Sequence, residues 1–260
     1  MKRMSLGTAL LFGLVGCGAE LGEPQVARGN GGPTVVFEAG LGDGAESWTA
    51  VRSRLPDSVG TFAWSRAGYG GLGLLDWETW PGDADGRRSG REVASQLMRE
   101  LTKQGVEPPF VLVGHSLGGT YALSFAKAYP GSVAGIVLVD PRLPGFTAEC
   151  QAQNLSNCTP PAALTLLMGE TERAELRGMP ETEASLRDLA FLNGIPVTVM
   201  SAGRGGLGIS DDFQNAWIAY AEAFAERLPQ ARYVHVPSSG HYIHQSATNT
   251  VSAEIQRLLE

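Results

Sequence analysis

The segment FVLVGHSLGGTYAL, residues 110–123, contains the most informative local pattern in the chain. Its first four residues are apolar, as in a strand that is buried on both faces. The residues after Gly119 have the apolar spacing of a helix. Ser116 lies between the two, with Gly114 and Gly118 on either side, so the chain must turn sharply at the serine. The segment therefore predicts a strand, a tight turn that carries Ser116, and a helix whose N-terminal amides point at the turn.

Strand and helix patterns alternate on both sides of this segment. Short apolar runs at 34–39, 61–64, 136–139, 197–200 and 233–236 predict further strands, with amphipathic helical spacing between most of them. This order is typical of a doubly wound α/β domain with a mostly parallel sheet of about six strands. Residues 141–194 are too many for one crossover, and we expect them to form a small cap over the carboxyl edge of the sheet, where such folds bind ligands.

The composition fits one globular domain. The chain has 260 residues, of which 43% are hydrophobic and 18% charged, and its formal net charge is −7. A chain of this size buries enough apolar surface to fold without metals or many disulfides. Because Lys and Arg are few and not clustered, nucleic acid is not an expected partner. The four His have no metal-ligand spacing, so no metal site is predicted.

The N-terminus has the pattern of an export signal. Lys2 and Arg3 precede an apolar run at 4–16 that is too short to span a bilayer. The run ends in LVGC at 14–17, which resembles a bacterial lipobox, whose cysteine is lipidated after cleavage. We expect a signal peptide at 1–16, a lipid anchor on Cys17 as the only membrane contact, a flexible tether at 17–32, and a domain at 33–260 in the bacterial cell envelope. A plain signal peptide is the alternative.

Two further cysteines, Cys150 and Cys158, lie close together in a polar segment of the predicted cap. Disulfides persist in exported proteins. We therefore predict that these cysteines pair, with two free thiols as the alternative if the short loop does not bring their Cα atoms within range.

Ser116 needs a base, because a serine hydroxyl alone is a poor nucleophile. His241 follows Gly240 in the loop between the last predicted strand and the last predicted helix, at the same edge of the sheet as Ser116. We predict His241 as the base. The other three histidines are expected to be structural: His115, His235 and His244.

The base in turn needs an acid that orients it. Asp140 directly follows the strand at 136–139, one βαβ step from Ser116, and is favoured. Asp211 and Asp212 follow the next strand and remain the alternative, although they also have the position of helix-capping residues.

Acyl transfer further needs hydrogen-bond donors for the oxyanion. The segment EAGLGDG at 38–44 follows the first strand, and its glycines allow a backbone amide to turn toward the serine. We predict the N–H groups of Leu41 and Leu117 as the oxyanion hole. A plain glycine turn is the alternative for this segment.

Together these residues resemble the α/β-hydrolase superfamily of serine esterases and lipases. The resemblance covers about residues 33–260 and rests on GHSLGG at 114–119, GLGDG at 40–44 in the oxyanion loop, SRAGYG at 65–70 in the (D)RxGxG turn, and Gly240-His241. Three positions depart from the family: Glu38-Ala39 stands where His often precedes Gly, Ser65 replaces Asp, and glycine occupies the usual acid position. Some members place the acid where Asp140 lies.

The resemblance implies a Ser-His-acid hydrolase without a cofactor, acting on a small-molecule substrate, with a lid between the sixth and seventh family strands. The expected reaction is hydrolysis of carboxylic esters of small or medium acyl chains through an acyl-enzyme. The same triad also serves thioesters, lactones, amides and cofactor-free haloperoxidase chemistry. A surface lipoprotein that binds a ligand without catalysis is an alternative from another class.

Overall fold

The computed structural model describes residues 23–69, 85–159, 162–206 and 208–260. The predicted signal segment at 1–16, Cys17 and the first residues of the predicted tether lie outside these ranges. Among the helices in these ranges, none is long and apolar enough to cross a membrane.

The described residues form one seven-stranded sheet in the order β1-β3-β2-β4-β5-β6-β7. All neighbouring strands are parallel except β1 and β3, which are antiparallel. The strands are β1 (Gln25–Ala27), β2 (Thr34–Glu38), β3 (Thr61–Ala63), β4 (Phe110–His115), β5 (Val133–Val139), β6 (Val197–Ala202) and β7 (Ala231–Val236).

Helices connect the strands and cover both faces of the sheet. In the described ranges they are α1 (Thr49–Arg52), α2 (Gly90–Lys103), α3 (Leu117–Ala128), α4 (Phe146–Ala152), α5 (Ala162–Leu167), α6 (Glu170–Ser185), α7 (Asp211–Glu226), α8 (Ile243–Ser246) and α9 (Thr248–Arg257), with short 3₁₀ turns at Ala45–Trp48, Pro130–Ser132 and Ala190–Leu192. The predicted doubly wound α/β class is therefore confirmed.

The edge strand β1 corrects two details of the sequence prediction. It raises the number of strands from about six to seven, and it places Gln25–Ala27 in the sheet, so the tether predicted for 17–32 is too long. Its residues Gln25-Val26-Ala27 contain no apolar run such as the one that predicts β3. Its stability comes from pairing with β3 and from Arg52, whose guanidinium donates to the Gln25 carbonyl at 3.2 Å.

Alternate residues of the strands enter two separate apolar cores. Val36 and Leu112 pack on one face against α2, α3 and α7, whereas Val35 and Val111 pack on the other against α1 and α9. Burial on both faces explains why the strands are apolar nearly throughout. It also leaves only the strand ends and their loops available for polar side chains.

Residues 141–194, called the cap below, contain α4, α5 and α6. The helix α6 lies against the loops that follow β2 and β3: a Cβ added to Gly68 would lie 2.1 Å from Thr171 Oγ1. Cys150 and Cys158 form a disulfide in the cap. The cap is therefore in contact with the carboxyl edge of the sheet.

Candidate active site

Ser116 lies in the turn between β4 and α3, where the chain adopts an unusual conformation. Its φ is 52° and its ψ is −119°, a region that L-residues seldom occupy and that is associated with functional strain. Within residues 110–126 all others are buried and Ser116 alone is partly exposed. Two backbone amides hold this turn: those of Gly119 and Arg142 donate to the Ser116 carbonyl at 3.0 and 2.9 Å.

The turn requires glycine at two positions because the backbones approach closely. A Cβ on Gly114 would lie 2.5 Å from the carbonyl oxygen of Gly118, and one on Gly118 would lie 2.3 Å from the carbonyl oxygen of Glu38. Both distances are shorter than non-bonded contact allows. The strand, the helix and the loop after β2 are therefore packed together around Ser116.

A short hydrogen bond at this edge of the sheet joins His241 and Asp140. His241 lies in the loop after β7, and its Nδ1–H donates to Asp140 Oδ2 at 2.6 Å although 101 residues separate them. The Asp140 side chain is 3% exposed and that of His241 is 40% exposed. A buried carboxylate on Nδ1 orients the imidazole so that Nε2 is available as a base.

Two more groups bind the Asp140 carboxylate. Its Oδ1 accepts from the Ala202 N–H, at the end of β6, at 2.9 Å and from the Trp217 indole N–H, on α7, at 3.0 Å. The backbone at Asp140 has a φ of 44°, a left-handed conformation that aspartate tolerates better than most residues. Three donors therefore hold this carboxylate in one orientation.

Asp211 and Asp212, the alternative acids, are exposed residues in the first turn of α7. The helix cap predicted for them is instead Ser210, whose Oγ accepts from the Phe213 N–H at 3.2 Å. Both aspartates follow this cap, where a negative charge interacts favourably with the helix dipole.

The other three histidines make hydrogen-bond or packing contacts of their own. His115 is buried, and its Nε2–H donates to the carbonyl of His241 at 3.0 Å, which links the turn of Ser116 to the loop of His241. Burial holds the pKa of His115 well below its usual value. His244 is also buried and packs on Trp48, with ring centroids 4.5 Å apart. His235 contacts Ser201 Oγ through Nδ1 at 3.0 Å.

The predicted oxyanion donors lie in the two turns that meet at Gly118. Leu41 precedes Gly42, whose φ of 80° favours glycine, and Leu117 is the first residue of α3. A first helical residue has no acceptor within its helix. In the part of the chain that the structure describes, neither N–H of these leucines donates to another backbone group.

A buried ionic cluster lies under the turn of Leu41. Glu38, Arg66 and Glu175 are each at most 1% exposed, with Arg66 Nε 2.7 Å from Glu175 Oε1 and its Nη1 3.5 Å from Glu38 Oε2. Burial raises the pKa of Glu38 to about 7, against the opposing effect of Arg66. Burial also acts to lower the pKa of Arg66, but Glu175 and the other neighbours raise it well above its usual value. Arg66 is therefore charged.

A cavity of about 760 Å³ lies within the cap and is lined by residues of the cap alone. Four arginines contribute to its wall, with apolar side chains between them: Arg142, Arg173, Arg177, Arg187, Leu176 and Met179. Ser116, Asp140 and His241 are not among the lining residues. Across the described ranges, no group of three or more His, Cys, Asp or Glu side chains is arranged to hold a metal ion.

Residues 35–254 match the Alpha/beta hydrolase family. The chain belongs to this family. The protein YqjL of Bacillus subtilis (strain 168) is 25% identical over 243 residues, which cover 89% of this chain and 85% of YqjL.

Two solved structures of alpha/beta hydrolase folds resemble this one in three dimensions. A thermophilic esterase from Thermogutta terrifontis has a TM-score of 0.63 and 18% identity, with 91% of this chain and 93% of the esterase covered. A variant of AqdC, which cleaves the ring of the Pseudomonas quinolone signal, has a TM-score of 0.65 and 18% identity, with 91% and 94% covered. At this identity the likeness concerns the fold.

Three residues of this alpha/beta hydrolase that contact the site were not predicted as site residues. Arg66 was recognised only within the SRAGYG turn, and Trp217 lies in one of the amphipathic helical segments that the sequence predicts between strands. Glu175 has no local signal at all, because its partner Arg66 is 109 residues away in the sequence. The available signal is Glu38, a carboxylate at the end of an apolar strand, because a charge that is buried there needs a partner.

Proposed function

We propose that this alpha/beta hydrolase is a serine carboxylesterase that acts on esters of small or medium acyl chains. The observation that carries the proposal is the 2.6 Å contact between His241 Nδ1 and the buried Asp140 carboxylate, at the sheet edge where Ser116 is partly exposed. An oriented imidazole beside a strained, accessible serine is the arrangement that nucleophilic catalysis needs.

In the proposed mechanism His241 Nε2 takes the proton of the Ser116 hydroxyl while Oγ attacks the ester carbonyl carbon. The tetrahedral intermediate collapses when the imidazolium of His241 protonates the leaving alcohol, which leaves an acyl-enzyme on Ser116. Water then attacks the acyl carbonyl with His241 again as base, and the acid and free Ser116 are released. Asp140 remains a carboxylate throughout and stabilises the imidazolium.

The negative oxygen of each tetrahedral intermediate is proposed to accept from the N–H groups of Leu41 and Leu117. Leu117 also begins a helix of 12 residues, so the positive end of the helix dipole lies at the same place. Removal of one such donor typically lowers kcat by about 10²–10³-fold. No cofactor takes part in this mechanism.

The same triad supports other reactions, and the fold alone does not determine which of them this enzyme catalyses. Thioesterase, lactonase, amidase and haloperoxidase activities are the alternatives within enzymes, and ligand binding without catalysis is the alternative outside them. The strained φ of Ser116 favours catalysis over binding, because strain of about 1–3 kcal/mol persists mainly where it serves the mechanism.

The test is hydrolysis of p-nitrophenyl esters from acetate to decanoate by the wild type and three variants. Ser116→Ala is expected to abolish turnover, and Asp140→Asn to lower kcat by about 10⁴-fold. Asp211→Asn is the matched control and should leave kcat unchanged. Turnover by Ser116→Ala at the wild-type rate, or a loss in Asp211→Asn that exceeds the loss in Asp140→Asn, would contradict the proposed roles.

We also propose that the enzyme is exported and lipid-anchored through Cys17. The support is the basic pair Lys2-Arg3, the short apolar run before LVGC, and the disulfide between Cys150 and Cys158, which is typical of oxidising compartments. Radiolabelled palmitate should enter the wild type and not Cys17→Ser. An unlabelled wild-type protein in a bacterial host would contradict the anchor.

A further inference from the structure

Arg66 makes an unusual pair of contacts in the proposed oxyanion loop. Its guanidinium is buried, and it donates from Nη1 to the Ala39 carbonyl and from Nη2 to the Gly40 carbonyl, each at 2.7 Å. Both bonds are charge-assisted and close to the shortest usual length for this type. One side chain therefore holds two successive peptide groups of the loop.

The second of these peptide groups also contains the N–H of Leu41. The Gly40 carbonyl and the Leu41 N–H belong to one planar unit, and in a trans peptide they point in opposite directions. A donor fixed on the Gly40 oxygen thus fixes the direction of the Leu41 N–H. A cation on that oxygen also polarises the amide, which strengthens the N–H as a donor.

Arg66 is itself held by the cap. Glu175, on α6, accepts from Arg66 Nε at 2.7 Å and from Nη2 at 3.1 Å, a bidentate arrangement. The Tyr69 hydroxyl donates to the second carboxylate oxygen at 2.9 Å. Glu175 is completely buried, and its Oε1 also lies 3.5 Å from Nη1 of the buried Arg88. Arg66 is the nearer of the two arginines, and its attraction to Glu175 acts in a medium of low dielectric constant.

We propose that Arg66 is a positioning residue that orients and polarises the Gly40–Leu41 peptide, and that Glu175 makes this orientation depend on the seating of cap helix α6. The inference rests on the proposed function, because it assigns the Leu41 N–H to the oxyanion. A cap helix that moved away would remove the carboxylate from Arg66 and loosen the loop. The cap would then regulate the transition-state donor directly.

A purely structural ion pair would predict a different behaviour. Buried ion pairs often contribute little net stability and are replaceable by apolar residues of similar size. Such a replacement would change the amount of folded protein but not the turnover of each folded molecule. Under our proposal it lowers kcat in molecules that are folded and have a reactive Ser116.

The test uses the double variant Arg66→Met/Glu175→Leu and counts active molecules by titration with a fluorophosphonate run to completion. We expect kcat per titrated site to fall by about 10²–10³-fold, as for loss of an oxyanion donor, with KM within about threefold of the wild type. Affinity for a trifluoromethyl ketone, which forms a tetrahedral adduct, should fall in parallel with kcat. A kcat per site equal to that of the wild type would overturn the inference.

Two further variants complete the test. Arg232→Met/Glu254→Leu removes an ion pair of 3.1 Å between β7 and α9, neither of which contains a residue of the oxyanion loop, and should leave kcat per site unchanged. Glu175→Gln keeps the shape of the side chain but not its charge, and should lower kcat by about tenfold, which is less than the effect of losing the oxyanion donor itself. Glu175→Gln also tests the inference if the double variant does not fold, because an unchanged kcat in this variant would overturn the role of the cap.

Wild-type behaviour separates this inference from the proposed function. A wild type that neither reacts with the fluorophosphonate nor hydrolyses esters would overturn both. A wild type that does both, with variants whose kcat per site is unchanged, would overturn only the role of Arg66 and Glu175.

Discussion

Trp217 donates its indole N–H to Asp140 Oδ1 at 3.0 Å, while the other oxygen of the same carboxylate accepts from His241 at 2.6 Å. Trp217 lies on α7, the helix that follows β6, and Asp140 follows β5. Phe146 of the cap packs on the Trp217 ring, with centroids 4.7 Å apart. The proposed acid is thus oriented by a residue that the cap itself helps to place.

Trp217→Phe should therefore impair catalysis while keeping the packing. It removes one hydrogen bond to a carboxylate, worth about 1.5–3 kcal/mol, and we expect kcat/KM for p-nitrophenyl butyrate to fall by about 10–100-fold. Tyr220→Phe is the matched control, because it removes a hydrogen bond of α7 to the Pro144 carbonyl instead. An equal loss in both variants would assign the effect to the helix and not to the contact with Asp140.

Gly118→Ala should disrupt the packing around the serine. The new Cβ would lie 2.3 Å from the Glu38 carbonyl oxygen and 2.4 Å from that of Ala39, so we expect a loss of about 3 kcal/mol or more in the free energy of unfolding. Gly131→Ala serves as control, because its Cβ meets nothing within 4 Å. Urea unfolding measures both. A Gly118→Ala protein as stable as Gly131→Ala would show that the turn has more space than the structure gives it.

Glu38 predicts a pH dependence of stability. Burial raises its pKa to about 7 from 4.5, so between these values the folded protein holds a proton that the unfolded chain has lost. Raising the pH across this window lowers the free energy of unfolding, by an amount of the order of 3 kcal/mol. Glu38→Gln removes this titration and should gain stability relative to the wild type as the pH rises.

The comparison with Glu38→Gln is needed because His244 acts in the opposite sense. Burial lowers the pKa of His244 to about 4, so its contribution to stability is lost as the pH falls from 6.5 toward 4. The two effects overlap in the wild type and cancel in part. A difference in the free energy of unfolding between wild type and Glu38→Gln that is constant from pH 4.5 to 7.5 would contradict the buried titration.

The cap disulfide packs with Phe146, which contacts the rings of Phe213, Trp217 and Tyr220, and should stabilise this aromatic cluster. Cys150 and Cys158 are separated by eight positions, and a loop of this size predicts a contribution of roughly 2–3 kcal/mol. We expect Cys150→Ala/Cys158→Ala to unfold at a lower temperature than the wild type. The unfolding transition followed by Trp fluorescence should shift to lower temperature as well. Reduction should lower the unfolding temperature of the wild type and leave that of the double variant unchanged; a wild type insensitive to reduction would contradict this role.

The sequence was most informative where a local pattern sufficed. The strand and helix on either side of Ser116 are adjacent in the chain, and together with Gly114 and Gly118 they predict the turn. The position of Asp140 at the end of a strand and of His241 after the last strand predicts that they share one edge of a parallel sheet. The α/β class follows from the same alternation and is confirmed.

Local sequence patterns did not predict the contacts between distant segments. Arg66 and Glu175 form an ion pair although they are 109 positions apart in the sequence. Taken alone, each has the pattern of an ordinary charged side chain. Trp217 has the spacing of an apolar helix position, and this spacing does not indicate that its indole N–H donates to a distant carboxylate. The edge strand β1 is three residues long, and only its pairing with β3 makes it a strand.

The central claim is that Ser116 is the nucleophile, and mass spectrometry of the protein after treatment with a fluorophosphonate tests it most directly. We predict one adduct per molecule on the peptide that contains Ser116, no adduct on Ser116→Ala, and slower labelling of Asp140→Asn. An unmodified wild-type protein, or an adduct that persists in Ser116→Ala, would contradict the account.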